Sequence, residues 1–294
     1  MAGDVSGQDP AKADPLVKPK PVLKWAGGKS SLLPEVLARL PRSIDTYYEP
    51  FLGGAAVFFA LAAERRFERA VLADKNPELI NVYSVVQRHV ELLIRELSTM
   101  QHDERTYYRV REEIPPGKIR RAARTIYLNR TGYNGLYRVN RSGVFNVPFG
   151  RYKNPKVCDE ARLRAASQAL QHAELHVADF EHATLQAGPG DAVYFDPPYA
   201  PSSPTANFTS YHREPFGSEE QRRLVGVFKS LSERGAFTLL SNADTAETRA
   251  LYRGLVMDEV QVRRPINSRA SGRGQVGELL VRSAPPRRTK RQPR

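Results

Sequence analysis

Short apolar runs rich in β-branched and aromatic residues recur along the chain, and most of them end in an acid. Thr46–Glu49, Ala70–Ala73 before Asp74, Leu175–Ala178 before Asp179, Ala192–Phe195 before Asp196, and Phe237–Asn242 all have this form. Near-continuous apolar runs are what strands buried on both faces of a parallel sheet require. Between them apolar positions fall at helical spacing. Helices are expected to open at Ser30–Leu33, to run from the glycines after Phe51 to about Arg66, and to cover Glu78–Arg88, Val90–Thr99, Asp159–Gln171 and Glu219–Arg234. The last places Leu224, Val225, Phe228 and Leu231 on one face. Strand–helix alternation of this kind predicts an α/β fold, a Rossmann-like sheet. Val256–Val262 and Gly277–Val281 read as a closing hairpin.

The alternation lapses between residues 101 and 171. That stretch is polar and basic, with helical pattern at Arg105–Glu113 and Ile119–Asn129, then a loop-rich block from Asn129 to Tyr152. Asn134-Gly135 and Ser142-Gly143 are hairpin-type turn signals. Arginines and tyrosines interleave throughout. Arginine can read guanine edges or hold phosphates, and Tyr133 or Leu136 could wedge into a base stack. A surface hairpin laced by cation–π contacts, with no ligand, has the same composition. The expected organisation is a disordered leader at 1–20, a catalytic domain at 21–100 and 172–282, an inserted, mostly helical recognition region with a hairpin at 101–171, and a basic disordered tail at 283–294. The unpatterned stretch from Ala200 to Phe216 reads as a lid, and the loop with Arg263, Arg264, Arg269 and Arg273 as a mobile phosphate-tracking segment.

Composition narrows the partners. The net charge is +13, and the chain stays basic without the five cations of the tail, so a polyanion is indicated. No apolar run approaches the roughly 20 residues of a membrane span, and no signal peptide is expected. Cys158 is the only cysteine, so no disulfide framework can form within one chain, and a reducing cytoplasm is the plain setting. The six histidines show no ligand spacing, and no metal is expected.

The candidate chemistry centres on Asp196-Pro197-Pro198-Tyr199. The prolines stop the strand and hold a stiff, carbonyl-rich turn at its carboxyl end, where an open α/β sheet has its ligand crevice. Asp196 and the Pro197 carbonyl are acceptors for the two hydrogens of an aromatic amine. Holding both would draw the nitrogen lone pair out of the ring plane for attack on a methyl group, and Tyr199 could stack on the base. A turn that only ends a strand shows the same local pattern; the partner motifs upstream favour the site. The first of these is Lys24-Trp25-Ala26-Gly27-Gly28-Lys29, two glycines before a helix, lacking the spacing of a phosphate-binding loop. The second is the turn Phe51-Leu52-Gly53-Gly54, followed about 20 residues later by Asp74, which is nucleoside-binding geometry. The turn lacks Gly-x-Gly-x-x-Gly, so a dinucleotide is disfavoured, and a cofactor lacking a pyrophosphate, such as S-adenosylmethionine, suits the turn better.

Taken together, the chain resembles the DNA adenine N6-methyltransferase (Dam) family from about Leu23 to Leu280. The resemblance rests on Lys-Trp-Ala-Gly-Gly-Lys, Glu-Pro-Phe-x-Gly, Ala-Asp-x-Asn-x-x-Leu-Ile, Asn-Arg-x-Gly-Tyr-Asn-Gly-Leu, Phe-Asn-Val-Pro-Phe-Gly and Asp-Pro-Pro-Tyr in family order, with Ala206-Asn207-Phe208-Thr209 after them. It implies transfer of a methyl group from S-adenosylmethionine to N6 of a flipped adenine in double-stranded DNA, within GATC. Asp196, Pro197, Pro198 and Tyr199 would hold the adenine. Trp25, Lys29, Phe51, Gly53, Gly54 and Asp74 would form the cofactor site, with Asp179 and Phe180 at its adenine end. Lys24 and Arg138 resemble guanine readers; Tyr133, Leu136 and Pro148 resemble residues that enter the duplex; Asn134, Arg151 and Tyr152 resemble further DNA contacts. The implied setting is bacterial or phage-derived, cytoplasmic and nucleoid-associated, with a cognate restriction endonuclease as an open partner. The family's glycine motif reads Phe-x-Gly-x-Gly, and here the last position is Ala55. Methylation of RNA adenine or protein glutamine, or a non-catalytic DNA-binding regulator that keeps the fold, are the alternatives.

Overall fold

The computed structural model describes residues 17–25, 31–140, 142–198, 216–263 and 275–283. Lys29, Tyr199, residues 200–215 of the lid expected at 200–216, the arginine loop beyond Arg263, most of the leader and nearly all of the tail lie outside the described residues.

A seven-stranded sheet organises the chain. Its strands are β1 (Ile44–Glu49), β2 (Phe67–Asp74), β3 (Ala173–Val177), β4 (Ala192–Phe195), β5 (Phe237–Ala243), β6 (Val256–Arg263) and β7 (Gln275–Arg282). The order across the sheet is β3-β2-β1-β4-β5-β7-β6. The first five are parallel, and β7 runs antiparallel to both β5 and β6. The chain winds outward from β1 to β3, returns to lay β4 against the other side of β1, and continues to β5. A crevice therefore opens between the carboxyl ends of β1 and β4, where the winding reverses.

Side-chain alternation builds two cores on this sheet. Tyr47, Ala192, Tyr194, Leu239 and Leu280 belong to one apolar cluster; Tyr48, Val193, Phe195, Leu240, Leu279 and Val281 belong to the other. The first is completed by α1 (Leu33–Arg39), α2 (Ala56–Ala63), α3 (Pro77–Ser98), α5 (Lys118–Thr131) and α6 (Glu160–Leu170). The second is covered by Leu224, Val225, Phe228 and Leu231 of α8 (Ser218–Glu233), the face anticipated from their spacing. Pro34 in the first turn of α1 and Asn76 capping α3 mark the two helix starts. The break between the two helices expected over 78–99 appears at His89, whose φ −140° and ψ 36° interrupt α3. Two short helices lack a counterpart in the apolar pattern, α7 (Phe180–Ala183) and α9 (Ala246–Leu251). Each is started by a side-chain cap, Asp179 and Thr245 respectively, and is too short for periodicity to register. The helix expected to reach about Arg66 stops at Ala63, and Arg65 turns the chain with φ 53°.

Residues 104–150 form no separate core. Tyr107 of α4 (Glu104–Glu112), Tyr127 of α5, Tyr137, Phe145 and Val147 all join the first cluster. The hairpin signal at Ser142-Gly143 is realised: Val139 pairs antiparallel with Phe145, and Asn140 N donates to Val144 O at 2.8 Å. At Asn134-Gly135 both residues have positive φ and Leu136 N donates to Tyr133 O, the backbone of a tight turn, but the isolated bridges pair Gly132 with Phe149 and Val139 with Phe145, so the flanks of this turn do not pair with each other.

That turn is bolted to the N-terminal segment by Asn129. Its fully buried side chain accepts from Lys24 N at 2.8 Å and donates to Lys24 O at 2.7 Å and Gly135 O at 2.9 Å. Asn129→Ala leaves three backbone groups, two part-buried on Lys24 and one buried on Gly135, without their partner. We expect a loss of about 2–4 kcal/mol in urea denaturation, larger than surface changes produce.

Candidate active site on the carboxyl edge of the sheet

Acids stand at or just beyond the carboxyl ends of four neighbouring strands: Asp179 after β3, Asp74 on β2, Glu49 on β1 and Asp196 after β4. They come from distant parts of the chain, and the parallel pairing alone lines them up.

Asp74 is buried and braces the glycine turn. One oxygen accepts from Gly53 N at 3.1 Å and the other from Asn76 N at 2.9 Å. Tyr83 Oη donates to Gly53 O at 3.0 Å, so the turn is held from both sides. Gly53 has φ 46°, and a Cβ there would lie 2.9 Å from Cδ1 of Trp25. The indole is thus laid directly on the turn, and the Tyr137 ring stacks on it at 5.2 Å. Trp25, Gly53, Gly54 and Asp74 are therefore brought together, as the sequence suggested. Phe51 sits on the opposite side of the sheet, stacked at 5.5 Å on Phe180 and edge-on to Phe195 and Phe216.

Ala55 has φ 55° and ψ 33°, the left-handed region in which glycine is at ease and alanine costs roughly 1–2 kcal/mol. Its methyl group is buried in the core. The departure from the glycine motif is thus a matter of backbone strain, with the added carbon directed into packing.

At the β3 end, Asp179 caps α7 through Glu181 N at 3.0 Å and pairs with Lys75 at 3.1 Å and with Arg223. Burial opposes its ionisation, but the Glu181 N–H and these cations outweigh it and hold the carboxyl below the usual aspartate range. The Phe180 ring is only 1% exposed, with the Arg223 guanidinium over one face at 4.5 Å. Its side chain is committed to packing.

At the β4 end, Pro197 is buried, Pro198 is exposed, and Asp196 is half-buried. Ser241 Oγ on β5 donates to Asp196 Oδ1 at 3.0 Å, and Tyr194 Oη is 2.9 Å from the same hydroxyl. Next to this group lies Glu49, buried, whose Oε2 accepts from Tyr47 Oη and from Phe58 N, both at 3.0 Å. Phe58 is in the first turn of α2, so Glu49 caps a helix whose own Ala55 has no side-chain cap. Burial, reinforced by the charge of Asp196 and opposed by these two bonds, pushes the Glu49 carboxyl up to about 8. At neutral pH Glu49 is mostly protonated. Glu49, Ser241 and Asn129 all escaped the reading of the sequence as site residues. Glu49 and Asn129 stood inside quoted motifs, but nothing in the string told what they touch.

The hairpin side presents a different surface. Tyr133 is 54% exposed; Asn134, Pro148 and Arg151 are exposed, and Leu136 is half-buried against the core. Tyr133 N donates to Pro148 O at 2.9 Å, which puts these two side by side. Arg138 is anchored to Asn146, through Nε to Oδ1 at 2.8 Å and Nη2 to the backbone oxygen at 3.1 Å. Lys24 Nζ lies 4.9 Å over the Tyr152 ring. Partial burial, then the charge of Arg130, hold its amine below the usual lysine range. Lys24, Arg130, Tyr152, Lys153 and Lys156 line one basic depression. Among the described residues, no group of three or more His, Cys, Asp or Glu could hold a metal ion, and no helix is long and apolar enough to cross a membrane.

The Glu49 arrangement has a measurable signature. Its folded pKa exceeds the unfolded value of 4.5, so the folded state binds more protons between about 4.5 and 8, and stability falls as pH rises through that window. Glu49→Gln keeps an acceptor for Phe58 N but cannot ionise. Urea denaturation from acid pH to about pH 8 should show the variant gaining on the wild type as pH rises; a constant difference would refute the raised value.

Comparison with known proteins agrees with this geometry. Residues 25–266 match the family model for D12 class N6 adenine-specific DNA methyltransferase. Among curated proteins, the chain is 40% identical over 272 residues to "DNA adenine methylase" of Escherichia coli strain K12, covering 90% of this chain and 96% of that one. It is 40% identical over 272 residues to "Type II methyltransferase M1.LlaDCHI" of Lactococcus lactis subsp. cremoris, covering 89% and 94%. Identity to "Type II methyltransferase M.MjaIII" of Methanocaldococcus jannaschii is 39% over 283 residues, covering 89% and 98%. With the family model spanning most of the chain and relatives matched along nearly their whole length, this protein belongs to the D12 class of N6 adenine-specific DNA methyltransferases.

Proposed function

We propose that the chain methylates the adenine of GATC in duplex DNA, with S-adenosylmethionine as the methyl donor. The observation that carries the reading is the row of acids along four adjacent strand ends, with the Trp25-backed glycine turn in its middle and Asp196 beside it. A ligand lying along this edge meets Asp179 and the Phe180 backbone at one end, Asp74 at ribose height, and the Gly53-Gly54 turn next to the target position. The turn fits a nucleoside without a pyrophosphate: its glycines let the Trp25 ring close on the backbone, and the turn itself lacks the Gly-x-Gly-x-x-Gly spacing of a pyrophosphate cradle. When bound, S-adenosylmethionine supplies an electrophilic methyl group on a sulfonium.

The chain's own residues then do three things. Asp196 and the Pro197 carbonyl accept the two N6 hydrogens of the extruded base, which turns the nitrogen lone pair toward the methyl carbon, and Tyr199 stacks on the ring. Alignment of the reacting atoms and acceptors aimed at the positive charge developing on nitrogen carry the rate, with no covalent enzyme intermediate. Extrusion costs a few kcal/mol, partly recovered by stacking. In the recognition region, residues 101–171, Tyr133, Leu136 and Pro148 enter the duplex. Lys24 and Arg138 read guanines, and Asn134, Arg151 and Tyr152 hold the backbone. The mutual support of Tyr133 and Pro148, and the anchoring of Arg138 by Asn146, favour this division of labour, because readers must be held rigidly to discriminate.

The test is methyl transfer from labelled S-adenosylmethionine to two duplexes that differ only in GATC against GTTC. Label in N6-methyladenine on the GATC duplex alone is expected; label on both would discard the recognition assignment. Asp196→Ala should abolish transfer while leaving cofactor affinity within about threefold, since the lost contact is to the target amine.

A further inference from the structure

Asp196 can present its acceptor correctly only if its carboxylate does not rotate. Two residues on the same face of two adjacent strands, β4 and β5, address this. Tyr194 precedes Asp196 by two positions on β4, and Ser241 lies on β5 opposite the register extension of Tyr194↔Leu239 and Phe195↔Leu240. Ser241 is fully buried. Its hydroxyl has a single hydrogen, and that hydrogen goes to Asp196 Oδ1 at 3.0 Å because an ionised carboxylate only accepts. Tyr194 Oη, 2.9 Å from Ser241 Oγ, must then be the donor in that contact. The bonds run in one direction, from tyrosine to serine to carboxylate, and each polarises the next.

We propose that Ser241 is a positioning residue for Asp196: its hydroxyl, itself held by Tyr194, fixes the rotation of the carboxylate so that it meets the adenine amine in the reactive orientation. The inference rests on the reading of Asp196 as amine acceptor. Ser241 touches neither the base nor the cofactor in this role; it acts through Asp196. A buried serine that only satisfies its own hydroxyl would contribute to stability and leave the chemical step alone.

Single-turnover methyl transfer on the GATC duplex separates the two. Ser241→Ala should slow the chemical step by about ten- to a hundredfold, the usual weight of a hydrogen bond to a charged group. Binding of cofactor and DNA should stay within about twofold. The acidic limb of the rate–pH profile should move to higher pH, because a donor that favours the charged carboxylate has been removed. Glu49, Tyr47 and Tyr194 also face this group, so the limb is read again in a Glu49→Gln background. Tyr194→Phe keeps the buried ring and removes only the hydroxyl; it should shift the limb in the same direction by a smaller amount, and it carries the test if Ser241→Ala does not fold. A wild-type rate, an unmoved limb in both variants, or a loss confined to KM would overturn the proposal. Asp196→Ala is measured alongside. Transfer by that variant would overturn the reading of Asp196 itself, whereas an inactive Asp196→Ala beside an unimpaired Ser241→Ala would overturn this inference alone.

Discussion

Everything in the site depends on the parallel pairing of β1 with β4. Tyr47 and Tyr48 lie against Ala192 and Val193, although α4, α5 and the hairpin are threaded through the chain between those strands. That pairing puts the glycine turn and the Asp-Pro-Pro turn on adjacent carboxyl ends. Without it the two halves of the chemistry would lie on separate elements with no fixed distance. The cost of bringing them together falls on a long loop closure, and the two cores on either side of the sheet supply the apolar burial that offsets it.

Within the crevice the polar groups are arranged so that few charges face one another. Glu49 caps α2 and stays largely protonated near neutrality, so Asp196 is not forced to share the pocket with a second anion. The alternation of the strands explains why Tyr47, Glu49, Tyr194 and Ser241 all meet: residues of one parity on β1, β4 and β5 face the same way. The hydroxyls of this face can therefore serve the Asp196 carboxylate.

Much of this was legible in the string of residues, for identifiable reasons. Prolines cannot continue a strand, so Asp196-Pro197-Pro198 marked its own place at a sheet edge. The spacing from Gly53 to Asp74 is set by one helix and one strand, so it survives as a count. Asn76-Pro77 announced α3 through cap chemistry. Other features are set by pairing across the fold. Ser241 sits in Leu-Leu-Ser-Asn, an unremarkable strand end until the β4–β5 register sets it opposite Asp196. The protonation of Glu49 follows from burial, which depends on which face of the sheet is covered. Asn129 bonds to Lys24 across more than a hundred residues. The Asn134-Gly135 pair turns the chain as its two positive φ values require, but its flanks do not pair with each other, and Asn129 takes the Gly135 carbonyl.

The stretch from Val22 to Trp25 is short, yet it touches two separate parts of the fold. Trp25 lies on the glycine turn, and the backbone of Lys24, one peptide bond away, is gripped by Asn129 of α5. A planar peptide has no soft torsion of its own, so the two contacts cannot shift independently by much. A ligand that tightens or loosens the indole does mechanical work on the segment that carries the lysine. Thermodynamic linkage makes that influence mutual: whatever factor occupancy of one side imposes on the affinity of the other is returned in equal measure.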